Sequence, residues 1–126
     1  MADVGEKPVT EREALARGRV RLSGPARAAA LEGALPKGDA LAAAELAGIQ
    51  AAKRVWEIVP LCHPLPVESV EVTIAPAEGG VEIRALVRAR ARTGVEMEAL
   101  AAVAAAALTI YDMTKGLDRG AVIEEI

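Results

Sequence analysis

The stretch VEIRALVRARA, residues 81–91, alternates apolar side chains with side chains that are mostly charged. Alternation with a period of two predicts a half-buried β-strand, because successive side chains on a strand point to opposite faces of the sheet. One face carries only aliphatic residues, namely Val81, Ile83, Ala85, Val87, Ala89 and Ala91. This strand therefore needs a core on one side of its sheet.

The segments around this strand predict its neighbours. Val70, Val72 and Ile74 alternate with polar residues, and the turn sequence APAEGG at 75–80 joins this second strand to the first. Upstream, residues 25–32 predict a short helix between Pro25 and Gly33. A longer helix follows an Asp39 cap and stops by Val59 before Pro60, and residues 95–120 predict a third helix ending near Gly116 or Gly120.

The ends of the chain are less regular. Residues 1–24 are rich in charge and we predict irregular structure there, with Val20 and Leu22 able to open a strand; AVIEEI, residues 121–126, is compatible with a last strand. The resulting order of strand, helix, strand, strand, helix and strand predicts an α+β, ferredoxin-like fold, an antiparallel sheet packed by helices. At 126 residues, we expect residues 1–126 to form one domain.

Composition excludes several classes of function. The chain is 52% hydrophobic but only 2% aromatic, and its net charge is −3, which disfavours nucleic-acid binding by base stacking or by a broad basic field. A single cysteine excludes an intramolecular disulfide, and with no N-terminal apolar leader we expect a cytoplasmic location. The apolar run 99–110 is about 12 residues long, shorter than the roughly 20 needed to span a membrane. Because that run is apolar all round, we expect an oligomer interface along its helix.

The loop VPLCHPLP, residues 59–66, holds the only histidine and the only cysteine of the chain. Its prolines restrict the backbone on both sides of His63, and a stiff loop can place an imidazole for proton transfer near neutral pH. A hydrogen-bonded structural histidine is an equally common alternative, and Cys62 has the properties of a small buried hydrophobic residue.

The last helix carries two pairs of charged residues. Asp112 and Lys115 lie three residues apart and can reach the same point, which favours an ion pair and, if the pair is buried, acid–base chemistry. Near the start of the helix, Glu96 and Glu98 interact favourably with the helix dipole. Because 14 residues separate Glu98 from Asp112 by roughly 21 Å along a helix, one chemistry that uses both ends needs a long site or one shared between subunits.

Several basic residues suit phosphate oxygens, among them Arg12, Lys37 and Lys53. Lys37 lies beside the N-terminus of a predicted helix, where anions bind well. The sequence has neither a phosphate-binding loop of the Walker type nor a dinucleotide-binding glycine pattern, and one histidine makes a conventional metal site improbable.

The motifs KGD at 37–39, AGIQAAKR at 47–54, LCHPLP at 61–66, TGVEMEAL at 93–100 and AALTIYDM.K at 106–115 resemble the cyclic pyranopterin monophosphate synthase family of molybdenum cofactor biosynthesis. The resemblance covers nearly the whole chain. It implies a ferredoxin-like fold, a hexamer built as a trimer of dimers, and an active site at a dimer interface. It also implies a lyase that converts 3′,8-cyclo-7,8-dihydro-GTP to cyclic pyranopterin monophosphate and pyrophosphate without an organic cofactor, with Mg²⁺ able to accompany the triphosphate.

Matched motif by motif, the resemblance implies roles for individual residues. Asp112 and Lys115 become the expected catalytic pair. The expected substrate contacts are Lys37, His63, Cys62, Glu96, Met97, Glu98, Arg12 and Lys53, and no metal ligand is expected.

Two differences from the family and one competing class complete these expectations. Members usually continue past the Val-Ile pair near the C-terminus into a strand and a tail rich in Gly, Ser and Lys, and they carry more residues before the start of this sequence. An ending at Ile126 would remove a phosphate-contacting segment, so we expect lower activity if that ending is native. The competing class is a non-catalytic ferredoxin-like oligomer that binds a small anionic effector.

Overall fold

One antiparallel sheet and three helices form the computed structural model, which describes residues 1–126. The elements are β1 (Thr10–Arg21), α1 (Gly24–Glu32), α2 (Ala40–Arg54), a 3₁₀ turn (Val55–Glu57), β2 (Val67–Ala77), β3 (Gly80–Ala91), α3 (Glu96–Thr114) and β4 (Val122–Glu125). The strands lie in the order β2, β3, β1, β4, and every pairing is antiparallel. This arrangement confirms the predicted α+β, ferredoxin-like fold and forms the last strand at β4.

Strand β1 corrects the prediction of irregular structure over residues 1–24. It pairs with β3 along its whole length, from Thr10 opposite Ala91 to Arg21 opposite Gly80. On the open face of the sheet, Arg88 of β3 lies 2.6 Å from Glu13 of β1, an opposite-charge pair that fits the cross-strand register. The core face of β1 includes Gly18, where a Cβ atom would lie 2.6 Å from Val103 of α3. Glycine and alanine on that face let β1 approach α3 closely. Because neither residue is strongly hydrophobic, the alternation of apolar and polar residues that predicts a strand is weak in this segment.

The core lies between one face of the sheet and the helices α2 and α3. All six aliphatic residues predicted for the inner face of β3 are buried. Helix α2 packs on α3 through small residues, since a Cβ atom at Gly48 would lie 3.0 Å from the carbonyl oxygen of Ala102. The core contains few aromatic side chains to fill space. Its small side chains instead let the backbones approach closely, so the core is still well packed.

The helix ends agree with the sequence signals at Gly33 and Asp39, and the structure adds a cap at Ser23. The Ser23 hydroxyl accepts a hydrogen bond from the Ala26 amide in α1, and Gly33 ends that helix with a φ of 68°. The Asp39 carboxylate accepts from the Ala42 amide and caps α2. Helix α2 ends at Arg54 and the chain continues through the 3₁₀ turn towards Pro60, which donates no backbone hydrogen bond.

Helix α3 is the central helix of the core. With 19 residues and a mean hydropathy of 1.3, it is the one helix whose length and composition would also suit a membrane span. It is longer than the 12-residue apolar run because polar residues at both ends continue the helix. Its buried side packs on the sheet and on α2, whereas Leu100, Leu108 and Tyr111 remain exposed.

Candidate active site

The predicted site residues fall into two groups at opposite ends of α3. Lys37, Asp112 and Lys115 meet at the C-terminal end, and we call them the lysine cluster. Cys62, His63, Glu96, Met97 and Glu98 line one cleft at the N-terminal end, and we call them the histidine cluster. Because both ends belong to one continuous helix, Glu98 and Asp112 are separated by roughly 21 Å along its axis.

The lysine cluster is a carboxylate held between two ammonium groups. Lys115 Nζ lies 2.8 Å from Asp112 Oδ1, and Lys37 Nζ lies 2.8 Å from Asp112 Oδ2. The i,i+3 spacing on α3 brings Lys115 to Asp112, as predicted. The chain thus joins a lysine from the α1–α2 connection to a pair on the last helix.

The position of Lys37 follows from a tight turn. The Gly38 amide donates a 2.9 Å hydrogen bond to the Leu35 carbonyl, so Pro36 and Lys37 are the central residues of that turn. The adjacent N-terminus of α2 is already capped by the Asp39 carboxylate. The Lys37 side chain reaches α3, where its ammonium group pairs with Asp112.

The ion pairs fix the protonation states of the lysine cluster. Hydrogen bonds from Lys115 and Lys37 lower the pKa of Asp112 to about 2. The hydrogen bond to Asp112 raises the pKa of Lys115 above its ordinary value. At neutral pH Asp112 is an ionised carboxylate and a weak base, whereas Lys115 stays protonated and supplies a positive charge and N–H hydrogen-bond donors.

An open cleft of about 580 Å³ surrounds the lysine cluster. Its lining adds Tyr111 and Arg119, neither of which the sequence singled out. The cleft thus holds three cationic side chains, Lys37, Lys115 and Arg119, and a single carboxylate, that of Asp112. The side chains of Asp112 and Lys115 are 52% and 56% exposed, so the pair is not buried in the single chain.

The histidine cluster lines a smaller cleft of about 210 Å³ between the proline-rich loop and the start of α3. Thr93, Gly94 and Lys7, which lies in the segment before β1, also line this cleft. Cys62 and His63 are half-buried on the loop, while Glu96 and Met97 come from the first turn of α3. The fold therefore brings the two sequence motifs together at one end of the helix.

Glu98 is the unusual member of the histidine cluster. Its residue is 1% exposed, and neither carboxylate oxygen has a hydrogen-bond partner. Burial raises the pKa of this carboxyl group, and the nearby Glu96 carboxylate raises it further. The prediction of a dipole-stabilised carboxylate describes the position of Glu98 in the helix but misses its burial.

Cys62 shares this environment. Burial raises the pKa of its thiol, and the charges of Glu98 and Glu96 act in the same direction. Because the thiolate is the nucleophilic form, the protonated thiol is a packing group with little reactivity. Its sulfur lies 3.8 Å from the backbone oxygen of His63.

Comparison with known proteins decides the family of this chain. The sequence matches the MoaC family over residues 1–126. The chain belongs to the MoaC family. Every residue of both clusters lies within the matched region.

Three named relatives are similar to this chain over all or nearly all of its length. A protein of Chloroflexus aurantiacus is 55% identical over 128 residues, covering 100% of this chain and 78% of that protein. One of Thermomicrobium roseum is 56% identical, covering 100% of this chain and 77% of its own length. One of Cereibacter sphaeroides is 53% identical over 95% of this chain and 77% of its own length. All three are named cyclic pyranopterin monophosphate synthase.

Two residues expected in a MoaC-family site lie outside both clefts. The Arg12 guanidinium donates 3.4 Å hydrogen bonds to the carbonyls of Ala91 and Arg92. The next two residues, Thr93 and Gly94, line the cleft of the histidine cluster. Lys53 is exposed in the last turn of α2, where a cation interacts well with the helix dipole. Their expected role as substrate contacts stays a prediction.

Neither cluster has the arrangement of a metal centre. The chain holds no group of three or more His, Cys, Asp or Glu side chains arranged to bind a metal ion. The lysine cluster presents ammonium groups, which repel a cation, so its chemistry suits anions.

Proposed function

We propose that this MoaC-family chain is a cyclic pyranopterin monophosphate synthase, a lyase of molybdenum cofactor biosynthesis. Its substrate is 3′,8-cyclo-7,8-dihydro-GTP, and its products are cyclic pyranopterin monophosphate and pyrophosphate. The observation that carries the proposal is the lysine cluster, a cationic cleft built around a functional pair expected for this family. The names of relatives that are 53% to 56% identical support the same reaction.

The phosphate step assigns roles to the lysine cluster. Closing a cyclic phosphate joins a hydroxyl oxygen of the substrate to the α-phosphorus and breaks the bond to the oxygen that bridges to the β-phosphorus. The hydroxyl proton is released, and the electron pair stays on pyrophosphate. Lys115 and Lys37 stabilise the charge that develops on the leaving pyrophosphate, and Asp112 orients both ammonium groups.

The histidine cluster is suited to the end of the substrate that carries the purine-derived ring. His63 is the only histidine of the chain, and imidazole readily accepts and releases protons near neutral pH, so His63 is our candidate for accepting the hydroxyl proton. Glu98 has two unpartnered oxygens in a buried position, which a ligand with N–H groups would satisfy. The purine-derived ring of the substrate carries such groups.

The distance between the clusters leads to a shared site. Two copies of α3 packed antiparallel would bring the histidine cluster of one subunit to the lysine cluster of the other. The exposed residues Leu100, Leu108 and Tyr111 form an apolar stripe between the clusters, as such a contact requires. We propose that this dimer is the unit of a homohexamer, a trimer of dimers, and that each active site uses two chains.

The setting of the reaction is part of the proposal. We propose a cytoplasmic enzyme that needs no organic cofactor. If Mg²⁺ takes part, it binds as the counterion of the substrate triphosphate, because the cationic side chains of the cleft offer no ligands to a metal ion.

Incubation with the cyclised dihydro-GTP tests the function. We expect pyrophosphate release together with a pterin that becomes fluorescent after oxidation. Lys115→Ala should lower turnover at least about a hundredfold while the oligomer persists in size-exclusion chromatography, because the ammonium group that stabilises the leaving pyrophosphate is lost and the exposed side chain contributes little to folding. Arg17→Ala, on the open face of the sheet, is the matched control and should keep full activity. Absence of pyrophosphate release by the unmodified chain would favour the non-catalytic anion-binding module, and near-normal turnover by Lys115→Ala would refute the role of this lysine.

A further inference from the structure

We infer that Arg119, together with the lysine cluster, forms a binding site for pyrophosphate, whether as the terminal part of a nucleoside triphosphate or as the free anion. Arg119 lies on the turn between α3 and β4 and lines the same cleft as Lys37, Asp112 and Lys115. The inference rests on the proposed function for its substrate, but the site itself is argued from the contacts of these side chains.

The charge balance of the cleft leaves Arg119 available. Both carboxylate oxygens of Asp112 are already engaged, one by Lys37 and one by Lys115, each at 2.8 Å. Arg119 makes no ion pair, and its guanidinium takes part in none of the side-chain hydrogen bonds of the chain. Its positive charge instead acts on Lys115, whose pKa it lowers against the larger raising effect of Asp112. An anion that binds beside Lys115 and Arg119 would remove this repulsion.

The turn that carries Arg119 is fixed on both sides. Asp118 Oδ2 accepts a 2.7 Å hydrogen bond from the Ser23 amide at the start of α1, and Oδ1 accepts a 2.8 Å bond from the Gly120 amide. These hydrogen bonds lower the pKa of Asp118, so the anchor is ionised at neutral pH. The Leu117 and Asp118 amides also donate to the Thr114 carbonyl at the end of α3. The backbone of Arg119 is therefore held in place before any ligand arrives, which lowers the entropic cost of binding.

Pyrophosphate matches this arrangement better than a single phosphate does. A guanidinium can form two parallel hydrogen bonds to phosphate oxygens, whereas each lysine acts as a point charge. Two linked phosphates offer enough oxygens and charge for the fork of Arg119 and for both ammonium groups. Arg119 would then favour triphosphates over monophosphates as ligands of the cleft.

Calorimetric titration of the full chain with inorganic pyrophosphate tests the site directly. We expect Arg119→Gln to weaken pyrophosphate binding by about tenfold to a hundredfold, the range for one lost charge-assisted hydrogen-bond pair. Arg119→Lys should restore part of the affinity, because it returns the charge without the fork. Arg17→Gln is the matched control, an exposed arginine without an ion pair on the open face of the sheet, and should bind pyrophosphate as the unmodified chain does.

The outcomes separate this inference from the proposed function. Pyrophosphate binding that depends on Arg119, in a chain that does not turn over cyclised dihydro-GTP, would keep the site and reject the synthase. Turnover with unchanged KM and unchanged pyrophosphate inhibition in Arg119→Gln would keep the synthase and reject the site. An equal loss of affinity in Arg17→Gln would show a general charge effect and would also overturn the inference. Circular dichroism spectra matched to the unmodified chain establish that each variant is folded.

Discussion

Subunit mixing offers the strongest test of a site shared between two chains. His63→Ala removes the imidazole at one end of α3, and Lys115→Ala removes the ammonium group at the other. The helix holds these ends roughly 21 Å apart within one chain, so neither variant can repair its own site. In a two-fold dimer, a site that takes its histidine from one variant and its lysine from the other is intact.

The expected recovery follows from counting sites. After random mixing of equal amounts, half of the sites take the intact lysine from the His63→Ala chain, and half of those take the intact histidine from the Lys115→Ala chain. Recovery should therefore reach about 25% of the unmodified activity, while each variant alone stays near or below about 1%. A site contained in a single chain predicts no recovery, because every chain then carries one lesion.

Pyrophosphate release is measured after the two variants are unfolded in urea together and refolded. Native mass spectrometry of differently tagged chains verifies that hybrid oligomers form. The control mixture joins Lys115→Ala with Asp112→Ala, two lesions within the lysine cluster, and should recover nothing. Hybrids that form normally but stay at the activity of the separate variants would refute the shared site.

Two further predictions concern the packing and the protonation of the fold. Gly48→Val should destabilise the chain by about 1–3 kcal/mol in urea unfolding, because the new side chain meets the Ala102 carbonyl at the crossing of α2 and α3; Gly24→Ala, whose Cβ has no neighbour within 4 Å, is the control, and equal effects would contradict the close packing. Because the pKa of Glu98 is raised in the native state above 4.5, the native chain keeps a proton that the unfolded chain releases, so stability should fall as pH rises from about 4 towards neutrality. Glu98→Gln should flatten that decline and make the chain more stable than the unmodified protein at pH 7, because it removes the cost of ionising a buried carboxyl group. An unchanged pH profile would show that burial does not raise the pKa of Glu98.

The sheet and the helices were largely predictable because their signals are local. The alternation of β3 survives in the structure residue by residue, and Ser23, Gly33 and Asp39 mark helix ends by bonds within a few residues. Strand β1 was missed because its stability comes from a distant partner. Glu13 gains its charge partner from Arg88, 75 residues away, and Gly18 faces α3 with no side chain at all. A strand of this kind looks like a charged, irregular segment until β3 lies beside it.

The candidate site shows the same division between local and distant causes. The pairing of Asp112 with Lys115 follows from helical spacing, but the third member, Lys37, enters through the fold. Glu98 likewise shares its cleft with Cys62 and His63 of the proline-rich loop, a neighbourhood that the spacing of residues on α3 does not reveal. Arg119 was overlooked because an arginine one turn past the end of a helix has no pattern of its own. Arg119 becomes a candidate only in the structure, where both carboxylate oxygens of Asp112 are already paired with Lys37 and Lys115.

The two ends of α3 differ in charge in a way that favours one orientation of a bound nucleotide. At the C-terminal end, Lys37, Lys115 and Arg119 outnumber the single carboxylate of Asp112, so phosphate groups are attracted there. At the N-terminal end, Glu96 and the buried Glu98 place two carboxyl groups, which disfavour phosphate and whose oxygens can accept hydrogen bonds from the N–H groups of a ligand. An antiparallel pair of α3 helices would bring one end of each kind together at both sites. A ligand with a ring at one end and a triphosphate at the other would then bind in one direction only, with its α-phosphorus between His63 of one subunit and Lys115 of the other.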